Sequence, residues 1–170
     1  MDLEPLCLYT IGHSDHELAA FIALLRAHAI ARLVDVRSQP YSRWQPQFNR
    51  ETLAPALRAA GIEYAGAGDT LGGRPADPAL YNPGAERPDY ERMAETPLYQ
   101  GGIERLLEAA QTARTAIMCS EGDPSHCHRH LLITQTLVMR GVRVLHILPD
   151  GDLQEGELIP QQLTLFGGLE

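Results

Sequence analysis

Lysine is absent from this 170-residue chain; all fourteen basic residues are arginine. That excludes a Schiff-base lysine, a pyridoxal phosphate anchor and a Walker A lysine. Cysteine is scarce, at three residues, too few for a disulfide framework and suited to a reducing, cytoplasmic setting. No apolar run approaches the roughly 20 residues that cross a bilayer, so no membrane partner is expected. The opening "MDLEPLCLYT" lacks the basic start and long apolar stretch of a signal peptide. Net positive charge is also missing. A formal charge of -8 argues against coating nucleic acid by bulk charge, yet leaves room for a local basic cleft.

What is present is an ordinary globular composition, 44% hydrophobic, long enough for one domain with a sizeable core. Five short apolar runs read as strands: "LCLYTIGH" (6–13), "ARLVDVRS" (31–38), "IEYAGA" (62–67), "RTAIMC" (114–119) and "VRVLHIL" (142–148). Helical patterns separate them. The first has Ser14 as N-cap and Glu17 as its capping-box partner, ahead of Leu18, Phe21, Ile22 and Leu25. The second, 50–61, contains Pro55, which predicts a late start or a kink. A third covers 102–113. A fourth runs over 123–141, with Asp123 as N-cap and Pro124 in the first turn. This alternation predicts an α/β fold: a single three-layer domain over 1–148 with a mostly parallel sheet, Rossmann-like or flavodoxin-like. Residues 66–100 form a long Gly/Pro-rich excursion of a length that is usually functional. Residues 149–170 read as an acidic linker and tail.

Ligands of such sheets bind beyond the carboxyl ends of the strands. Those ends carry Gly12, His13 and Ser14; Asp35, Arg37, Ser38 and then Arg43; and Cys119, Ser120 and Glu121. The stretch "CSEGDPSHCHRHLL" (119–132) has three readings. As a metal site, Cys119 and Cys127 would act with His126 or His128, but seven intervening residues exceed the usual zinc spacing. As a thiol site, Cys119 would lie near a helix N-terminus and arginine, which favour thiolate, against Glu121 and Asp123. As an anion site, the helix start would hold a phosphate or carboxylate with Arg37, Arg43 and Arg129, while Glu121 or Asp35 moves a proton. The anion reading leads. No cofactor is expected, and a divalent metal on Cys119, Cys127 and His128 is the alternative.

In "PYSRWQPQFNR" (40–50), Tyr41, Trp44 and Phe48 alternate with Arg43 and Arg50. Such a segment stacks bases and takes phosphates, or its aromatics plug the edge of the core. At the other end of the chain, Gln162-Leu163-Thr164-Leu165-Phe166 resembles the short peptide by which bacterial repair and replication proteins dock onto the sliding clamp. Thr164 is a mild departure from the Ser or Asp of that peptide. Leu165 and Phe166 would enter an apolar groove while Gln162 supplies amide hydrogen bonds. Tethering of this kind raises the effective concentration of DNA near an acidic protein.

The set "YTIGHS", "LVDVRSQPYSR", "PQFN", "GIEYAGAGDTLGGR" and "CSEGDPSHCHR" resembles the bacterial and archaeal family known as domain of unknown function 488, over roughly residues 8–148. The resemblance implies a compact α/β domain and no particular activity. Its motif positions fall on Gly12, His13, Ser14, Asp35, Arg37, Ser38, Arg43, Phe48, Asn49, Gly72, Gly73, Arg74, Cys119, Glu121, Cys127, His128 and Arg129.

The expected function is a hydrolase-type enzyme acting on nucleic acid or a nucleotide in DNA maintenance. His13, Asp35 and Glu121 are candidate acid/base groups, and Cys119 is the candidate nucleophile. Gly12, Ser14, Arg37, Ser38, Arg43, Trp44, Asn49, Arg74, His128 and Arg129 are candidate substrate ligands. A non-catalytic adaptor for nucleotides or DNA, and a metal-binding or thiol redox protein, are the alternatives.

Overall fold

In the computed structural model, which describes residues 4–160, the five apolar runs form strands: β1 (Cys7–Gly12), β2 (Arg32–Asp35), β3 (Glu63–Gly66), β4 (Thr115–Cys119) and β5 (Arg143–Ile147). Residues placed in the linker by sequence add a sixth, β6 (Leu153–Glu155), antiparallel to β5. A tight turn returns the chain: Leu148 N–H donates to Asp152 O, and Gly151 takes φ 91, a left-handed conformation that glycine adopts without strain. Helices α1 (Leu18–Ala27), α2 (Arg50–Ala59), α3 (Gly68–Leu71), α4 (Tyr90–Ala94) and α5 (Pro97–Thr112) follow. A π-helical segment, Arg129–Thr134, runs into α6 (Gln135–Met139). Among the described residues, no helix is long and apolar enough to cross a membrane.

Two helix starts differ from the sequence expectation. Ser14 is not the cap of α1: it sits at φ 50 with its hydroxyl on Asp15, and Glu17 holds the N-cap position without a side-chain bond. Asp123 caps only a short 3-10 turn, Pro124–His126; the π-helical segment follows, and regular α-helix begins at Gln135. Pro55 is accommodated inside α2. Its missing N–H would have bonded the Glu51 carbonyl, so the loss falls on the first turn.

The sheet order is β3-β2-β4-β1-β5-β6, parallel except for β6. The mostly parallel α/β architecture is as expected. The order itself differs from both common doubly wound arrangements, because the chain returns from the β3 edge to insert β4 between β2 and β1. Connections from β1 to β3 move one way along the sheet, and those from β3 to β5 move back. Right-handed crossovers therefore place α1 and α2 on one face and α3 to α6 on the other.

Packing follows that division. Phe21, Leu25, Leu53 and Leu57 meet Ile11, Leu33 and Met118; Tyr99, Ile103, Leu132 and Ile133 meet Leu8, Val34, Ile117 and Cys119. Alternate strand residues serve opposite faces. Because connections leave β4 and its neighbours β2 and β1 on opposite faces, a crevice opens beyond the carboxyl end of β4.

Candidate active site

Past Cys119 the chain forms an irregular loop to His128, held on three sides. The end of β1 presses on it so closely that a Cβ on Gly12 would lie 1.6 Å from Glu121 O. The N–H groups of His13 and Ser14 donate to the carbonyls of Cys119 and Ser120, each at 2.9 Å. Beneath it lies Arg129, whose side chain is wholly buried. Its Nη2 donates to the carbonyls of Glu121 (2.9 Å) and Gly122 (3.0 Å), its Nη1 to Thr10 Oγ1 (2.5 Å) and its Nε to Cys119 Sγ (3.1 Å). Arg129 thus braces the loop from within and is not an open ligand.

The two sulfurs of Cys119 and Cys127 lie 2.7 Å apart. Both residues are buried, yet both line a cavity of about 710 Å³. Burial, and then the interaction with Cys127, raise the Cys119 thiol well above its ordinary range. Cys127 is lowered, first by the hydrogen bond from Cys119 and then by His128. The opposed directions are those of two coupled thiols close enough to share one proton. The His128 ring is fixed beside the pair, Nε2 on Val36 O at 3.1 Å and Nδ1 3.7 Å from Cys127 Sγ.

Among the described residues, no group of three or more His, Cys, Asp or Glu is placed to hold a metal ion. Two thiolates on one tetrahedral zinc sit roughly 3.8 Å apart, given Zn–S bonds near 2.3 Å.

The remaining candidates divide by strand parity. Leu33 packs on the α1–α2 side, and Asp35 and Arg37 follow it at even spacing. Arg37 donates through Nε to Asp35 Oδ1 (2.9 Å) and through Nη2 to Oδ2 (2.7 Å) and Phe48 O (2.8 Å). Arg37 N–H and Tyr64 O–H complete the shell around Asp35, at 3.1 and 2.5 Å. Burial and the Asp35 carboxylate push the Tyr64 hydroxyl up. Asp35 is therefore saturated and faces away from the thiols. His13 also lies off the cavity. It stacks on Phe48 at 4.5 Å, Nδ1 meets Ser14 O at 2.8 Å, and burial lowers its pKa. Asn49 shapes the 40–50 loop by accepting from Ser42 N–H at 2.6 Å.

Arg37, Ser38, Arg74, Cys119, Glu121, Cys127 and His128 do come together around the cavity. Ser38 Oγ accepts from Arg74 N–H at 2.9 Å. Of the three loop aromatics only Phe48 plugs the core. Tyr41 and Trp44 are 71% and 77% exposed; Tyr41 lines the cavity, and the Arg43 guanidinium lies 4.9 Å over the Trp44 ring.

Sequence reading missed Arg87 and Tyr90, which the 66–100 excursion carries to the cavity wall. It also missed Thr10 and His146, polar residues inside apolar strands, which was the signal available. Arg129 donates to Thr10 Oγ1, whose hydroxyl also meets His146 Nδ1 at 2.6 Å, and His146 Nε2 lies 3.2 Å from His130 Nδ1.

His146 is fully buried, and burial, then Arg129 and His130, push its pKa down to about 3. Unfolded, it takes a proton near 6.5. Its contribution to stability is complete above pH 6.5 and is lost as pH falls toward 3. Urea unfolding is expected to show a loss on the order of 2 kcal/mol between pH 7 and pH 5, reduced in His146→Gln.

A family model described as Domain of unknown function DUF488 matches residues 17–135. No curated protein and no solved structure matches the chain.

Proposed function

The chain belongs to the DUF488 family, and from the chemistry of its site we propose that it is a thiol-dependent enzyme, with Cys127 attacking a phosphate-bearing, nucleotide-like substrate. The observation that carries this reading is the buried thiol pair, 2.7 Å apart, opening into a cavity that also bears Arg74 and Arg87. Guanidinium groups suit phosphate oxygens. The exposed Tyr41 and Trp44 offer faces on which a base stacks. Cys119, the nucleophile expected from sequence, is pinned between Arg129 and Cys127, and this reading gives the attack to Cys127, which lies in the loop beside His128.

In the reaction, the Cys127 sulfur bonds to the substrate's electrophilic centre and the leaving group departs with its electron pair. Water then cleaves the bond to sulfur, restoring the thiolate and giving up a proton. Glu121, exposed on the cavity wall, is the group placed to carry that proton.

Iodoacetamide labelling tests the nucleophile. At pH 6 an ordinary thiol is about 0.3% ionised, from a pKa near 8.5. Wild type is expected to label first at Cys127, about a hundredfold faster than that fraction allows, and Cys127→Ser is expected to lose the fast phase. Fast labelling at Cys119 instead overturns the assignment. Turnover is assayed with nucleoside phosphates and short single-stranded DNA; binding without turnover in wild type would establish an adaptor.

The DNA-maintenance setting rests on the sequence of Gln162, Leu163, Leu165 and Phe166, which lie outside the described residues. Deleting residues 161–170 is expected to abolish pull-down by a bacterial sliding clamp and to leave thermal unfolding unchanged. Binding that survives the deletion removes this partner.

A further inference from the structure

Displacement by Cys127 gives Cys119 nothing to do beyond sharing a proton, yet the fold places its sulfur closer than that task needs. Separate heavy atoms rest at roughly 3.5–4 Å, and a disulfide bond spans about 2.05 Å; the observed 2.7 Å lies between. The two cysteines also sit on unequal supports. Cys119 ends a central strand, paired with Gly12, whereas Cys127 lies in the irregular loop between a 3-10 turn and the π-helical segment. The small approach needed to join them falls on the loop.

We propose that Cys119 and Cys127 are a reversible dithiol–disulfide couple that reduces hydroperoxides, with Cys127 attacking and Cys119 resolving. This rests on Cys127 being the reactive thiol, and goes beyond the displacement reaction by giving the site a two-electron chemistry. The Cys127 sulfur attacks the distal oxygen of a hydroperoxide. An S–O bond forms, the O–O bond breaks, and the alkoxide takes a proton from solvent water to leave as alcohol. Cys127 is now an uncharged sulfenic acid, so the negative charge that opposed ionisation of Cys119 is gone.

The Arg129 Nε, 3.1 Å from Cys119 Sγ, then supports thiolate at Cys119. Cys119 attacks the Cys127 sulfur, the S–S bond forms, and the hydroxyl departs with the Cys119 proton as water. The pair gives up two electrons, and a low-molecular-weight thiol returns them by exchange. Closure also consumes the nucleophile, so oxidation would silence the displacement chemistry until the pair is reduced. Cys7, half-buried at the opposite end of β1, is outside this couple and serves as the internal control.

Cleavage after Arg114 and Arg129 leaves both cysteines in one peptide, 115–129. Full-length protein treated with equimolar hydrogen peroxide is expected to yield that peptide two hydrogens lighter and blocked to alkylation, with Cys7 still free. Dithiothreitol should restore it. Cys119→Ser is expected to stop at a sulfenic acid on Cys127 that dimedone traps. Cys127→Ser is expected to consume peroxide about a hundredfold more slowly than wild type, as for a thiol that is not held ionised. The wild-type peptide decides the matter without any variant. Sulfenic or sulfinic acid accumulating on Cys127 with no crosslink overturns the proposal, as does stoichiometric zinc bridging the two sulfurs in the purified protein. Fast iodoacetamide labelling of Cys127 with no crosslink would sink this inference and leave the displacement reading standing, whereas absence of fast labelling sinks both.

Discussion

Arg129→Met is expected to lower stability by about 3–5 kcal/mol, the usual cost of removing one partner from a buried, hydrogen-bonded charge. Methionine fills most of the volume, so the loss comes from what the guanidinium leaves behind. The carbonyls of Glu121 and Gly122, Thr10 Oγ1 and Cys119 Sγ all lose their donor. A buried acceptor without a partner costs roughly 1–3 kcal/mol, and the exposed parts of the loop recover some of that from water. Arg129→Lys is expected to recover less than half, because one ammonium cannot match a planar fork spread over four acceptors. The urea midpoint, at unchanged slope, measures the loss. A midpoint within 0.5 kcal/mol of wild type would show that the loop stands without this support.

Gly12→Ala is expected to cost about 3 kcal/mol or more and to abolish fast labelling of Cys127. The added carbon would fall 1.6 Å from Glu121 O and 2.4 Å from its carbonyl carbon. Both are backbone, so no rotamer change relieves the overlap. The β1–β4 register, Gly12 opposite Cys119, is set by four paired positions and cannot slip. The loop must move outward instead, away from Arg129 and with it the geometry of the thiol pair. Gly101→Ala is the control. It lies within α5, where the nearest atom to a new Cβ is an arginine nitrogen at 3.7 Å. There alanine is expected to be neutral or to stabilise by about 0.5–1 kcal/mol through helix propensity. Thermal unfolding of the two variants side by side separates a local overlap from a general intolerance of alanine.

The same contacts show why some site residues could be read in the chain and others could not. Cys119 ends a strand and Glu121 and Ser38 follow one, so the rule that ligands gather beyond carboxyl ends found them. Asp35 ends a strand and His13 follows one, but their side chains lie on the other side of the sheet. Arg129 looked like an anion ligand because it is charged and near a helix start. The π-helical segment turns it inward, and the loop carbonyls satisfy it. Arg87 and Tyr90 lie in a Gly/Pro-rich stretch without periodicity, and no local pattern says where such a stretch folds back.

Local chemistry along the chain was enough to place five strands, the α/β class and the strand ends where chemistry collects, because burial writes a period into the residues that share a face. How the two cysteines meet, and which charges stay available, was decided only by folding. The 2.7 Å contact of the two sulfurs and guanidinium capture depend on distances between residues that meet through the insertion of β4 between β2 and β1. No periodicity encodes such distances, since strand order is set by competition among all the crossovers at once.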